Sequence, residues 1–240
     1  MVEIDTVYQK VLALLNKEQR GYMTPQEFNL LADKAQIDIF ESYFHDLKMA
    51  YHKPIKNQHI HTDEIEMIEE KLHPFIEQIS ASTSGNQITL SGNCYKLINV
   101  SRVNGNADFE FGSEVEGVSK RELQHIMGNP LTMPTVSRSI YYRRDGNGQS
   151  IIEIYPEPDA LEQFVYTFYR QPNEVEWAYV VVAGKALYNA NQTINFELHQ
   201  SEEETLVTRI LELAGVVIMK PGIVEVAKAD KMATKAEQNN

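Results

Sequence analysis

The stretch NKEQRGYMTPQEF, residues 16–28, has the spacing of a calcium-binding loop. Counted from Asn16, a glycine (Gly21) stands at position 6, an apolar residue (Met23) at 8 and a glutamate (Glu27) at 12, with Phe28 following. Such a loop also needs oxygen donors at positions 1, 3 and 5. Here those positions hold Asn16, Glu18 and Arg20, so a cation stands where a ligand belongs, and no second loop is present to pair with it. The same letters spell a helix stop at Gly21 and a restart, with Thr24 as N-cap, Pro25 at N1 and Glu27 as capping-box partner. Other chemistry-bearing residues are sparser. His52, His59 and His61 fall close together, and imidazole suits zinc, but no cysteine lies nearby and no HExxH spacing occurs. Cys94, the single cysteine, sits in SGNCYKL without a motif around it. Gly184-Lys185 lacks the upstream glycine and the following Ser/Thr of a phosphate-binding loop, and there is no GxSxG. Asp145 and Asn147 in DGNG read as a hairpin turn rather than a metal loop. No acid, base and nucleophile assemble, so no catalytic residue, cofactor or metal site is expected.

Composition narrows the classes. The chain has 240 residues, 42% hydrophobic and 23% charged, with a net charge of −12. That length can bury a substantial core. The acidic balance argues against gripping nucleic acid through its phosphates, though not against surrounding DNA without holding it. One cysteine permits no internal disulfide. MVEIDTVYQK has no basic or apolar leader region, and no apolar run reaches membrane-spanning length. No signal peptide and no membrane partner are therefore expected, and the setting should be cytosol-like.

Patterning places helices at both ends of a β-rich middle. The expected units are a helical region over 1–79, a β-rich domain over 80–200 and C-terminal helices with an arm over 201–240. The first helix spans about 4–19, with Val7, Val11, Leu14 and Leu15 on one side. The second starts at Thr24 and carries Phe28, Leu31, Ala32, Ala35, Ile39, Phe40, Tyr43 and Leu47 as its apolar stripe. Residues 50–61 read as a connector, and a third helix starts near Thr62 and stops before Pro74. SASTSGN (80–86) reads as a loop. Strands follow at QITLSG and YKLINVSRV, with a short helix over 119–127. A hairpin is expected over 139–144 and 150–155, then strands over 163–170 and 178–184, and a further one over 193–198. Ser201 and Glu204 have capping-box spacing ahead of a stripe of Leu206, Val207, Ile210, Ala214 and Val217. The fold class is therefore α+β: a helical bundle formed by N- and C-terminal helices with a central antiparallel β-rich domain.

The span FVYTFYRQPNEVEWAYVVV concentrates Phe164, Tyr166, Phe168, Tyr169, Trp177 and Tyr179. Alternate strand residues face opposite sides. Either one side is core and the other presents aromatics and Arg170 to a partner, or both sides are buried in a sandwich. Aromatics and arginine are enriched at interface hot spots, which makes Tyr169, Arg170, Trp177 and Tyr179 candidate interface residues. Ile223 and Val224 join them, on the weak apolar stripe of the polar tail after Pro221.

The order of these segments resembles a known family. A helical hairpin carries NKEQRGYMTPQEFNLLADKAQIDIFESYF, the centre carries NPLTMPTVSRSIYY and IIEIYPEP, then come VYTFYRQPNEVEWAYVVV and NFELHQSEEETLVTRILELAGVVI. Together they resemble the head-to-tail adaptor, or first ring protein, of tailed bacteriophages, particularly crAss-like and related marine phages. The likeness covers most of the chain except about 80–120, and YRQP…W and FELH…EE…LAG are its most distinctive parts. It implies a non-enzymatic virion protein at the head–tail junction, forming a dodecameric ring. Its partners would be the portal and the next ring or tail protein, with DNA passing through without sequence-specific binding. Residues 219–240 would then form a docking arm. The alternative is a calcium- or small-ligand-binding module built on residues 16–28, and an enzyme of unknown type stands behind both.

Overall fold

The structure, a computed structural model, describes residues 1–16, 23–52, 58–103, 113–146, 148–159 and 162–217. In chain order the described elements begin with helices α1 (Ile4–Asn16), α2 (Pro25–His52) and α3 (Gln58–Leu72). Strands β1 (Ile76–Ser82), β2 (Gln87–Thr89), β3 (Cys94–Val103), β4 (Ser113–Glu114) and β5 (Glu116–Val118) follow. Then come helix α4 (Lys120–Met127) and strands β6 (Ile140–Gly146), β7 (Gln149–Tyr155) and β8 (Gln163–Arg170). The chain closes with β9 (Tyr179–Val182), β10 (Lys185–Tyr188) and helix α5 (Glu203–Val217). This is an α+β protein with helices at both ends and mostly antiparallel strands between them; β5 and β6 are the parallel exception. No helix among the described residues is long and apolar enough to cross a membrane.

The chain forms two compact units, one of residues 1–74 and 172–240, the other of 75–171. In the first, α2 packs against α3 and α5, and α1 packs against α5. The buried face of α1 is Ile4, Val7, Tyr8, Val11 and Leu15, at the spacing of a helical stripe, while Leu14 is exposed. In α2 the buried set is Phe28, Ala32, Ala35, Ile39, Phe40 and Tyr43; α5 contributes Leu206, Val207, Ile210 and Ala214. Arg209 of α5 donates from Nε to Asp38 of α2 at 3.0 Å and from Nη1 to Glu212 at 2.7 Å. Lys10 and Lys71 reach Glu203 and Glu202 at 2.6 and 2.7 Å.

The second unit is two four-stranded sheets, ordered β1-β8-β3-β4 and β2-β7-β6-β5. Both line one core, which includes Ile88, Val100, Ile152, Ile154, Phe164, Tyr166 and Phe168. β8 runs antiparallel to β1 on one side and to β3 on the other. Arg102 is buried and donates to the Val136 carbonyl at 2.9 Å, to Ser139 and to Glu162.

Several elements differ from the pattern reading. Ser80–Ser82 belong to β1, paired with Val165, Phe164 and Gln163, because ladder pairing outweighs a loop-like composition. α3 begins at Gln58, four residues before Thr62. β6 extends through Gly146, which pairs with Gln149, and Gly148, just past Asn147, takes a positive φ (+77°). The start of α5 is preceded by a 3-10 turn over Gln200–Glu202, capped by the His199 side chain, which accepts from the Ser201 N–H. The Ser201–Glu204 spacing therefore does not mark the cap. Residues 193–198 form only isolated bridges, Glu176 with Ile194 and Val2 with Phe196.

Gln36 is fully buried among apolar residues of α2. Its amide donates to the Asn173 carbonyl at 2.8 Å and accepts from the Glu197 N–H at 3.0 Å. Replacing it with leucine orphans both backbone groups, each worth about 1–3 kcal/mol when buried and unpaired. Gln36→Leu should lower unfolding free energy by roughly 2–4 kcal/mol in a urea titration. An unchanged midpoint and slope would contradict this role.

Candidate protein-interaction site

The sequence-derived chemistry does not assemble into a reactive site. Thr24 and Glu27 form the reciprocal cap at the start of α2. The Glu27 carboxylate accepts from the Thr24 N–H and hydroxyl at 2.8 Å each, and the Glu27 N–H donates back to Thr24 Oγ1 at 3.3 Å. These bonds hold the carboxyl below its ordinary value, the backbone N–H contributing most. The carboxylate that would close a calcium loop is thus already engaged, while Arg20 and Gly21 lie outside the described residues. His52 donates from Nδ1 to the Lys48 carbonyl at 2.9 Å. The His59 and His61 side chains lie outside the described set. Cys94 is half-buried, and burial pushes its thiol pKa up, away from thiolate reactivity. Among the described residues no group of three or more His, Cys, Asp or Glu side chains is placed to hold a metal ion.

The candidate interface residues separate. Tyr169 and Arg170 sit at the end of β8 in the β unit. Arg170 pairs with Glu77 at 3.0 Å and lies over the Phe75 ring at 5.7 Å, so its guanidinium serves local packing. Trp177 is buried in the helical unit. Its indole N–H donates to Asp5 at 2.9 Å, and its backbone exchanges hydrogen bonds with the Asn29 amide at 3.0 and 3.3 Å. Its ring lies 4.3 Å from that of Tyr8 and stacks on Tyr179 and Tyr188 at 5.8 and 5.7 Å. Trp177 is therefore an anchor, and what it anchors is β9 and β10. Ile223 and Val224 lie outside the described residues.

β9 and β10 form a two-stranded ribbon that pairs with no other strand among the described residues. The register places Tyr179 opposite Tyr188 and Val180 opposite Leu187. Alternation puts Val180, Val182 and Leu187 with Lys185 on one face, and Tyr179, Val181, Ala186 and Tyr188 on the other. The second face is rooted on Trp177. Beyond that root, Val180, Val181, Val182 and Leu187 are each between 51% and 63% exposed. Free hairpins of this size are marginal in water, and two-sided apolar exposure with open edges is what natural surfaces avoid. Pattern reading found β9 but missed its partner. The signal was present: the apolar runs YVVV and KALY are separated by Ala-Gly, a two-residue turn.

A second apolar surface lies in the β unit. Ser119 caps α4 through a box with Glu122, and α4 has no fully buried residue. The loop after it exposes Leu131 (94%), Met133 and Val136. Thr132 ties the loop back, donating to the Ile126 carbonyl at 3.1 Å.

No protein-family model matches the chain, and no curated protein matches it.

The arm's turn yields a local test. Ala183 and Gly184 take φ of +51° and +78°, and a Cβ on Gly184 would meet open space. The cost of a side chain there is therefore conformational alone. Gly184→Ala should weaken the arm by about 1 kcal/mol, and Ala183→Asn should strengthen it by a few tenths. Amide exchange over residues 180–187 reads both, and equal exchange in the two variants would refute the assignment. A separate test addresses α2. Thr24→Ala should cost about 1 kcal/mol. Because the Glu27 pKa is lowered on folding, its contribution is present above pH 4.5 and fades as pH falls further. The stability gap between wild type and Glu27→Gln should therefore close in acid, and a gap constant down to pH 2 would contradict the cap.

Proposed function

We propose that this chain is a structural virion protein: an adaptor ring that joins the portal to the tail of a tailed phage and surrounds the DNA exit channel. The observation that carries the reading is the exposed apolar arm over 179–188. It is rooted by the segment in which the resemblance is most distinctive, YRQP…W and FELH. Within that segment Asn173 is held by the Glu197 carboxylate at 2.9 and 3.1 Å, and Trp177 by Asp5 and Asn29. A helical unit that holds an apolar ribbon out from its core is built for attachment, which a ring subunit needs and a monomeric sensor does not. The net charge of −12 supports the same reading. Carboxylates repel a polyanion, so DNA would slide past such a ring without being gripped.

In this reading the subunits form a dodecamer seated on the portal, with the next ring or tail protein on the opposite side. Residues 219–240, with Ile223 and Val224, dock on the portal. Native mass spectrometry of the full chain with the portal protein of the same phage should give a ring bound to the portal. The chain ending at residue 217 should lose that complex. A full chain that ignores the portal and responds instead to calcium would overturn the adaptor reading, and unimpaired assembly of the shortened chain would overturn the docking arm.

A further inference from the structure

We propose that in the free subunit residues 218–227 fold back over the Val180–Val182–Leu187 face of the β9–β10 arm and cover it. These residues lie outside the described set, so the inference rests on where they start and what they carry. α5 runs antiparallel to α2. Glu202, just before α5, bonds Lys71, whose ammonium lies 5.9 Å from the centre of the Tyr43 ring, and Arg209 further along bonds Asp38. From there the chain from Ile210 to Val217 advances roughly 12 Å, at about 1.5 Å per residue, toward the first turns of α2. In those turns Asn29 holds both polar groups of Trp177, the root of the arm. Packed helices lie about 8–10 Å apart, and the stretch from Ile218 to Ile223 can span roughly 20 Å, so the segment reaches the base of the arm from the end of α5.

Composition fits the cover to the face. Val180, Val182 and Leu187 are each just over half exposed and share their face with Lys185, the single charge within residues 179–188. Ile223, Val224 and Val226 make an apolar run with one charge inside it, Glu225. An ammonium and a carboxylate can therefore pair within the contact while the apolar side chains shield one another from water. Around that centre the signs are opposite again. Residues 218–240 hold four lysines against three carboxylates, so the segment carries +1 and the remainder of the −12 chain carries −13. Lys220 and Lys228 flank the apolar run, and Glu174 and Glu176 stand exposed on the backbone that leads into the arm. Attachment through α5 holds the segment at about millimolar effective concentration, so one face of the ribbon is contact enough, whereas a separate copy of the same net charge is repelled. On the adaptor reading, the cover keeps the ribbon from water before assembly, and docking of residues 219–240 on the portal lifts it.

The test uses the full chain without the portal, so the cover can fail while the adaptor reading stands. Amide exchange over residues 180–187 should be about tenfold slower in the full chain than in the chain ending at residue 217, and independent of protein concentration. Val224→Asp with Val226→Asp should raise exchange in the full chain to the level of the shortened one, with thermal unfolding like wild type. Lys185→Glu and Glu225→Lys should each speed exchange, and the two together should restore protection, which a loss of apolar area alone does not predict. Equal exchange in the full chain, the double-aspartate variant and the shortened chain would overturn the cover and leave the arm to a partner protein. Protection that persists in the shortened chain and grows with concentration would overturn it as well, and would make a second copy the occupant.

Discussion

The helical unit depends on how it satisfies a stretch of backbone that belongs to no sheet. Residues 172–178 and 189–199 run as irregular chain along α1 and α2, and buried peptide groups must find partners. Side-chain amides supply them. Gln36 takes the Asn173 carbonyl and the Glu197 N–H, Asn29 takes both polar groups of Trp177, and Asn195 accepts from the Ile4 N–H at 3.1 Å. A carboxamide both donates and accepts in one plane, as a neighbouring strand would. These residues thus do for a loop what a ladder does for a strand, and they fix the point from which the arm leaves.

That arrangement explains why Trp177 is inside. Its span is aromatic-rich, as an interface would be, yet the indole is spent on Asp5, Tyr8 and the two tyrosines of the ribbon root. The aromatic character holds the arm in place, and the valines beyond it make the exposed surface. β8 resolves in favour of burial: Phe164, Tyr166 and Phe168 face the sandwich core, while Val165 on the other face is buried too.

How much of this was legible follows from which forces are local. The Thr24–Glu27 cap, the α2 and α5 stripes and the β6–β7 hairpin are written in adjacent residues, and each appears where its letters stand. β1 was hidden because Ser80 and Ser82 look like loop residues, and only their pairing with β8, some eighty residues later, makes them strand. The N-terminus of α3 and the cap of α5 were misplaced for a related reason. Thr62 and Ser201 have the right residue type for a cap, yet α3 already runs from Gln58, and ahead of α5 His199 caps the 3-10 turn by a bond no spacing rule anticipates. The arm was half legible. Its valines read as a strand, but exposure is a property of what fails to pack, and no pattern of letters states that.

The arm and the buried polar groups set opposite demands on one unit. Lys71 and Glu202 are largely withdrawn from water, as is Tyr43, whose phenol pKa burial drives far above its ordinary value. Removing one member of such a set leaves a buried charge unpaired, so the helical packing tolerates little rearrangement. Among the described residues nothing covers Val180, Val181, Val182 and Leu187, and their exposure carries a standing hydrophobic cost that covering would relieve. A rigid root beneath an unsatisfied apolar tip means that little ordering entropy is lost when the tip is covered. Pre-organisation of this kind turns modest area into usable affinity.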